Sequence, residues 1–253
     1  MVLRDGLYRC RHVIKQSNLL IVSEQEMPIR VALVTALRHR KLLEGYIRRD
    51  SRFLGAISPI RLLEDSPRVA RLAEDAAERA DVGPMAAVPG ALADLMAGSM
   101  KLCGAEVRIV ENGGEVAACS TRPLKVGIYA GLSRASGRIG FELRGDDFPL
   151  GISTSSATVS HALSFGEADA AVTVADTAAL ADATSTAVCN AVVGEDVESS
   201  VQRGLEVAES MDAVRGALVI RGRFVGRTGK LPKLLSIKGS ISDMFEAAQT
   251  VFV

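Results

Sequence analysis

Residues 151–193 read GISTSSATVSHALSFGEADAAVTVADTAALADATSTAVCNAVV. A short apolar entry, Gly151-Ile152, leads into a run of hydroxyls: Ser153, Thr154, Ser155, Ser156 and Thr158. The segment Ala170–Ala175 reads as a strand, and a helix of Ala and Val starts near Asp176 or Thr177. That helix carries Asp182, Thr186 and Asn190, each four residues after the last. Side chains at i and i+4 share a helix face, so an otherwise apolar helix has one polar stripe headed by a carboxylate. A buried carboxylate is costly unless it is paired, hydrogen-bonded or bound to a cation.

The surrounding chain supplies hairpins and helices in alternation. Tyr8 to Ile14 and Leu19 to Ser23 read as strands joined at Gln16-Ser17-Asn18. Pro28 opens a long helix whose apolar face is expected at Val31, Val34, Leu37, Leu42 and Ile47, with most of its arginines opposite. Ser66-Pro67 marks the start of a helix to about Ala80, and a further helix runs from about Ala91 to Leu102. Glu111-Asn112-Gly113-Gly114 turns between two apolar runs, a hairpin signal. Lys125 to Tyr129 pairs with Arg138 to Leu143. An amphipathic helix follows at Val197 to Met211, then a short hairpin around Gly222, a basic loop from Arg227 to Lys233, and a short helix near Asp243. Hairpins with helices between them favour α+β over a regular βαβ series, with antiparallel or mixed sheets and packed helices.

The chain has 253 residues, 48% apolar and 24% charged, with no Trp and a formal net charge of +0. A core of Val, Leu, Ile and Ala is affordable at this size. Zero net charge argues against a nucleic-acid partner held by a positive field. No apolar run is long enough to span a membrane, and the N-terminus lacks the apolar run of a secretion signal. The four widely spaced cysteines form no CxxC pair, which fits reduced thiols and a cytoplasmic location.

Four constellations could carry chemistry. Asp182 and Thr186 offer a carboxylate and a hydroxyl to Mg²⁺, a hard cation that takes oxygen ligands alongside water and phosphate. The structural alternative is that Asp182 caps a neighbouring element and Thr186 bonds back to its own helix. Thr154, Ser155 and Ser156 end a strand, where hydroxyls and amides hold phosphate oxygens, or form a plain polar turn. Asn112, Gly113 and Gly114 let backbone amides face an anion, or simply make a tight turn with positive φ beside Thr154. His161 lies close enough in sequence to line the same cleft as the hydroxyl run, and it has no second ligand for zinc. The late basic cluster, Arg221 to Lys233, either neutralises a phosphate or is a solvated loop.

These residues resemble the ApbE-like superfamily, whose best-known members are flavin transferases. Three blocks carry the likeness in the family's order: Asp81 to Asp94, Val110 to Val116, and Gly151-Ile-Ser-Thr-Ser-Ser156 with Ala171–Val174 and Ala179–Ala187. The last is similar to the family's "TSG … VTV … ADALATA" pattern. The resemblance implies a two-lobed α+β unit spanning 1–253 without a separable linker, and a flavin nucleotide site between the lobes. It implies that Asp182 and Thr186 bind Mg²⁺, that Asp182 and His161 serve catalysis, and that Asn112, Gly113, Gly114, Thr154, Ser155 and Ser156 contact the cofactor. The implied cofactors are Mg²⁺ and FAD or another flavin nucleotide. The implied partner is a small-molecule nucleotide, with neither nucleic acid nor membrane, and homo-oligomer formation stays open. The chemistry implied is cleavage of the FAD pyrophosphate or FMN transfer, with a non-catalytic ligand-binding or assembly protein as the alternative. The family's Lys-Gly pair is Pro89-Gly90 here, and its His-x-x-Asp-Pro-Arg-Thr-Gly motif is reduced to His161-Ala-Leu-Ser-Phe-Gly166.

Overall fold

The structure is a computed structural model. It describes residues 1–131, 133, 136–157 and 165–237, and the backbone of 250–252. His161, Thr158 and the expected helix near Asp243 lie outside the described residues.

Two hairpin-forming strands, β2 (Leu7–Ile14) and β3 (Ser17–Ser23), follow a three-residue edge strand, β1 (Val2–Arg4). Helices α1 (Glu26–Arg49), α2 (Arg52–Gly55), α3 (Arg68–Arg79) and α4 (Val88–Leu102) come next. Then come β4 (Arg108–Asn112), β5 (Val116–Cys119), β6 (Leu124–Gly127), β7 (Ile139–Leu143), β8 (Leu150–Ser155) and β9 (Ala170–Ala175). The chain ends with α5 (Ala178–Ala191), α6 (Val197–Glu209), β10 (Val214–Arg221), β11 (Phe224–Gly229), β12 (Lys233–Ser236) and β13 (Thr250–Phe252).

Nine strands form one antiparallel sheet in the order β1-β2-β3-β4-β5-β8-β9-β10-β11. A second sheet, β12-β7-β6-β13, is mixed, because β13 runs parallel to β6. The class is α+β. Strand alternation sorts the large sheet's side chains into two sets. Leu20, Ile109, Val116, Ile152, Val172 and Leu218 face the small sheet and meet Val126, Phe141 and Leu143. Leu19, Ile21, Val110 and Ala117 face the other way, onto Ile29, Ala32, Ala93 and Met96 of α1 and α4. Both faces of the sheet's inner strands are therefore covered, which is why β3, β9 and β10 read as nearly continuous apolar runs. Each fully buried Leu, Ile or Phe contributes roughly 1.5–3 kcal/mol of transfer free energy.

Two expectations are corrected, and one strand was not anticipated. The buried face of α1 is Ile29, Ala32, Ala36, Leu43 and Tyr46, whereas Val34, Leu37 and Leu42 are exposed. Small Ala32 and Ala36 let α1 lie close to α4, and that contact selects the face. The basic stretch from Arg227 to Lys233 is no single loop: Arg227 lies in β11 and Lys233 opens β12. The strand β1 had no sequence signal, because all three of its residues are exposed. Among the described residues, no helix is long and apolar enough to cross a membrane.

Candidate functional site

The polar stripe of α5 meets the start of α4 where the two helices cross. Thr177 caps α5, its hydroxyl accepting from the Leu180 N–H at 3.2 Å. The carboxylate of Asp94, from α4, accepts from the Ala178 and Ala179 N–H groups at 3.0 and 2.9 Å. Asp182, from α5, returns the arrangement: its Oδ2 accepts from the Gly90 N–H at 2.9 Å. Each helix thus places a carboxylate on the positive end of the other's dipole. The crossing is close because position 90 is glycine. A Cβ there would lie 2.3 Å from the Ala178 carbonyl oxygen.

The hairpin between β4 and β5 completes the site. Asn112 donates its side-chain N–H to the Pro89 carbonyl at 3.0 Å, tying the hairpin to the first turn of α4. Gly113 and Gly114 have φ of 78° and 121°, which favour glycine. A Cβ on Gly114 would lie 3.9 Å from the Thr154 carbonyl oxygen, so the turn abuts the end of β8. Glu115 counts back from Val116 onto the helix side of the sheet, where it is buried. It hydrogen-bonds Ser153 and feels the charge of Asp182. Ser153 and Ser185 share a hydroxyl hydrogen bond at 3.0 Å, and Ser185 donates to the Asp182 carbonyl at 2.9 Å. A hydroxyl relay therefore links the buried Glu115 carboxyl to the main-chain carbonyl of Asp182, while the buried Asp182 carboxylate is held by the Gly90 N–H. Neither forms an ion pair with a Lys, Arg or His among the described residues.

The structure brings Asp182, Asn112, Gly113 and Gly114 together, but it rearranges the rest. Thr186 donates to the Asp182 carbonyl at 3.2 Å, so its hydroxyl proton is spent on its own helix while its lone pairs stay available. The amides of Gly113 and Gly114 do not face an empty anion site. Both donate to Oε1 of Glu111, at 3.0 and 3.2 Å. The turn does cradle an anion, and that anion is the protein's own carboxylate. The hydroxyl run does not line one cleft either. β8 stays paired through Ser155, so its side chains alternate. Ser153 and Ser155 lie on the helix side, opposite Thr173 and Ala171, and Thr154 lies on the other side, opposite Val172. The Thr154 hydroxyl is buried there without a hydrogen-bond partner among the described residues. Ser156 follows the strand and is buried. Asn190 continues the stripe and accepts from the Phe165 N–H at 2.9 Å. The sequence reading assigned no role to Glu111, Glu115, Asp94 or Ser185. Counting strand alternation from Val116 would have separated Glu115 from Glu111.

Burial raises all four carboxyl groups. Asp94 is pushed up to about 6 by burial, against the two α5 amides that favour its charged form. Glu111 is pushed up to about 7 by burial, against Arg11 and the glycine amides. Burial raises Glu115 well above the ordinary value, and the charges of Asp182 and Glu111 raise it further. Burial also raises Asp182, and Asp94 adds to this while the Gly90 N–H opposes it. Groups whose folded value is raised bind more protons in the folded state. Their stabilising contribution is complete below the unfolded values near 4 and is lost as pH rises through the folded values. Metal-free protein should therefore lose about 2 kcal/mol between pH 5 and pH 7.5, discounting Glu111 and Asp94 for partial exposure. His39, lowered chiefly by burial, works in the opposite sense below its ordinary value. Urea unfolding of parent and Glu111→Gln in EDTA isolates one group, because the variant should lose less stability over this window. A parent whose stability climbs steadily from pH 5 to 7.5 would contradict the assignment.

A family model described as AbpE bacteria matches residues 1–220. The chain belongs to this family. It is 42% identical over 236 residues to a UPF0280 protein of Methanopyrus kandleri, covering 92% of this chain and 95% of that one. A UPF0280 protein of Methanocaldococcus jannaschii is 37% identical over 230 residues, covering 90% and 93%. Among solved structures, the ApbE protein of Thermotoga maritima aligns with a TM-score of 0.54 at 13% identity, covering 88% of this chain and 97% of that one. The apo flavinyl transferase ApbE of Pseudomonas stutzeri aligns with a TM-score of 0.50 at 14% identity, covering 88% and 94%. At such identity the likeness concerns the fold: this AbpE family member has the ApbE architecture.

Proposed function

We propose that the chain binds a flavin nucleotide, FAD or a close relative, through its diphosphate together with Mg²⁺ beside Asp182, and cleaves that diphosphate or transfers FMN from it. The observation that carries this reading is the pair Asp182 and Glu115, two buried carboxylates without a cationic side chain among the described residues. Such a donor set suits a hard divalent cation. Asp182, Thr186 and Glu115 would hold it. When bound, Mg²⁺ neutralises charge on the phosphates. The protein's own part is positioning: the hydroxyl relay fixes Glu115, and Asn112 fixes Pro89-Gly90 against Asp182. The fold shared with flavin transferases supports the choice of ligand. A cytoplasmic setting is part of the proposal and is supported by four free cysteines.

One second reading has an observation of its own. Pro89 stands where the family pattern has Lys, and Glu111 already fills the glycine amides. These favour a non-catalytic ligand-binding or assembly protein. EDTA-treated protein should be melted with FAD, FMN and ATP, each with and without Mg²⁺, and the FAD sample assayed for released AMP. The proposal expects stabilisation by FAD of several degrees that requires Mg²⁺, with AMP appearing. Mg²⁺-dependent stabilisation without AMP selects the second reading. Stabilisation by no nucleotide under any condition sinks the proposal and leaves only an assembly protein.

A further inference from the structure

The small-sheet face of the large sheet ends in a notch at the β4–β5 turn. Register sets Arg11 of β2 opposite Leu20 of β3, Leu20 opposite Glu111 of β4, and Glu111 opposite Val116 of β5. Leu20 and Val116 face the small sheet, so Arg11 and Glu111 share that face, away from Glu115 and Asp182. One step further along the strands, the Gly113 N–H donates to the Asn18 carbonyl at 3.1 Å. A Cβ on Gly114 would lie 3.9 Å from the Thr154 carbonyl oxygen. Two adjacent glycines therefore leave no side chain between Asn18 and Thr154. Glu111 bends into that gap, where its Oε1 takes both glycine amides.

The carboxylate fits this place incompletely. Burial disfavours its ionised form, against the charge of Arg11 and the two amides. The Gly113 N–H is shared between Glu111 and Asn18. The Thr154 hydroxyl lies on the same face beside Gly114, opposite Val172. It is buried without a hydrogen-bond partner among the described residues. A planar carboxylate that spends one oxygen on both amides leaves this hydroxyl unserved. A phosphate group carries three oxygens on a tetrahedral frame, enough to accept from two turn amides and a hydroxyl together. Gly113 is exposed, so the turn opens to solvent.

We propose that Glu111 is an internal plug: its carboxylate closes the Gly113-Gly114 turn in the free protein, and a phosphate group of the ligand displaces it and takes the two amides and the Thr154 hydroxyl. The plug presupposes a ligand held through its phosphates, as proposed above, and adds a threshold for entry. The incoming group must outcompete two charge-assisted bonds, so a weak anion is excluded. The displaced carboxylate swings toward Arg11, the cation on its own face.

The test is titration of inorganic phosphate into metal-free protein, followed through the amide resonances of Gly113 and Gly114. Glu111→Ala should bind phosphate about tenfold or more tighter than the parent, with those two amides shifting most. Glu111→Gln keeps the shape without the charge and should fall between the two. Thr154→Val breaks no hydrogen bond among the described residues, so it should leave stability intact. Added to Glu111→Ala, it should weaken phosphate binding about fivefold. Equal phosphate affinity in parent and Glu111 variants, silent Gly113 and Gly114 amides, or indifference to Thr154→Val would overturn the proposal. So would acetate binding to Glu111→Ala as tightly as phosphate. Tighter phosphate at the turn with no Mg²⁺-dependent FAD binding would keep the plug and remove the flavin. FAD bound at one affinity in parent and Glu111→Ala, with both glycine amides silent, would keep the flavin and remove the plug.

Discussion

Gly90→Ala is expected to destabilise the protein by more than about 3 kcal/mol, the upper end for overpacking a core. The new Cβ would lie 2.3, 2.5 and 2.8 Å from the Ala178 oxygen, the Ala178 carbon and the Ala179 nitrogen. All three atoms are backbone in the first turn of α5, so no side-chain rotation relieves the clash. Moving α5 away would break the two Asp94 bonds that hold its first turn. Moving α4 away would break the Gly90 bond to Asp182 and the Asn112 bond to Pro89. The variant that remains folded should therefore also lose Mg²⁺-dependent ligand binding. The control is Gly98→Ala in the same helix. Gly98 is exposed, and a Cβ there meets nothing within 4 Å. That change should stabilise by roughly 0.4–1 kcal/mol, because alanine lowers the entropy of the unfolded chain. Urea midpoints for the two variants should move in opposite directions. Equal behaviour would mean that the α4–α5 crossing is looser than described.

Much of this fold is written in local pattern. Thr177 before an Ala-rich run, Asn-Gly between apolar runs and the β-branched Ala170–Ala175 segment each place an element with a mechanism. What pattern alone does not decide is choice between faces. In α1, Val34 and Leu37 are as apolar as Ile29, yet close approach to α4 selects the side that carries Ala32 and Ala36. In β11, Gly229 reads as part of a basic loop, yet it pairs with Gly216, and Gly226 is required by the packing of α6. The site divides in the same way. The stripe Asp182, Thr186 and Asn190 follows from helical spacing alone. The separation of Glu111 from Glu115, and of Thr154 from Ser153 and Ser155, follows only from strand register. The reciprocal contact of Asp94 and Asp182 joins residues nearly ninety positions apart, and nothing local announces it.

Asp182→Asn should separate a ligand-binding carboxylate from a structural one by the sign of its effect. Asparagine keeps the shape, and its Oδ1 can still accept from the Gly90 N–H. The substitution also relieves Glu115 of the charge at position 182 that raises its own carboxyl group. What disappears is a buried charge with no cationic side chain paired to it among the described residues. The metal-free variant should therefore be more stable than the parent at pH 8, by about 1–2 kcal/mol, since burial and the Asp94 charge both oppose the ionised form. Mg²⁺-dependent binding of FAD should fall at least 100-fold, about 2.7 kcal/mol. Thr186→Val should leave stability nearly unchanged, because its hydroxyl bonds only its own helix, and should weaken the Mg²⁺ response about tenfold, roughly 1.4 kcal/mol. Glu115→Gln relieves the same repulsion as Asp182→Asn, so the double variant should gain less stability than the two single gains added. A structural carboxylate predicts the reverse: Asp182→Asn would melt several degrees lower, the parent would ignore Mg²⁺, and the two substitutions would add.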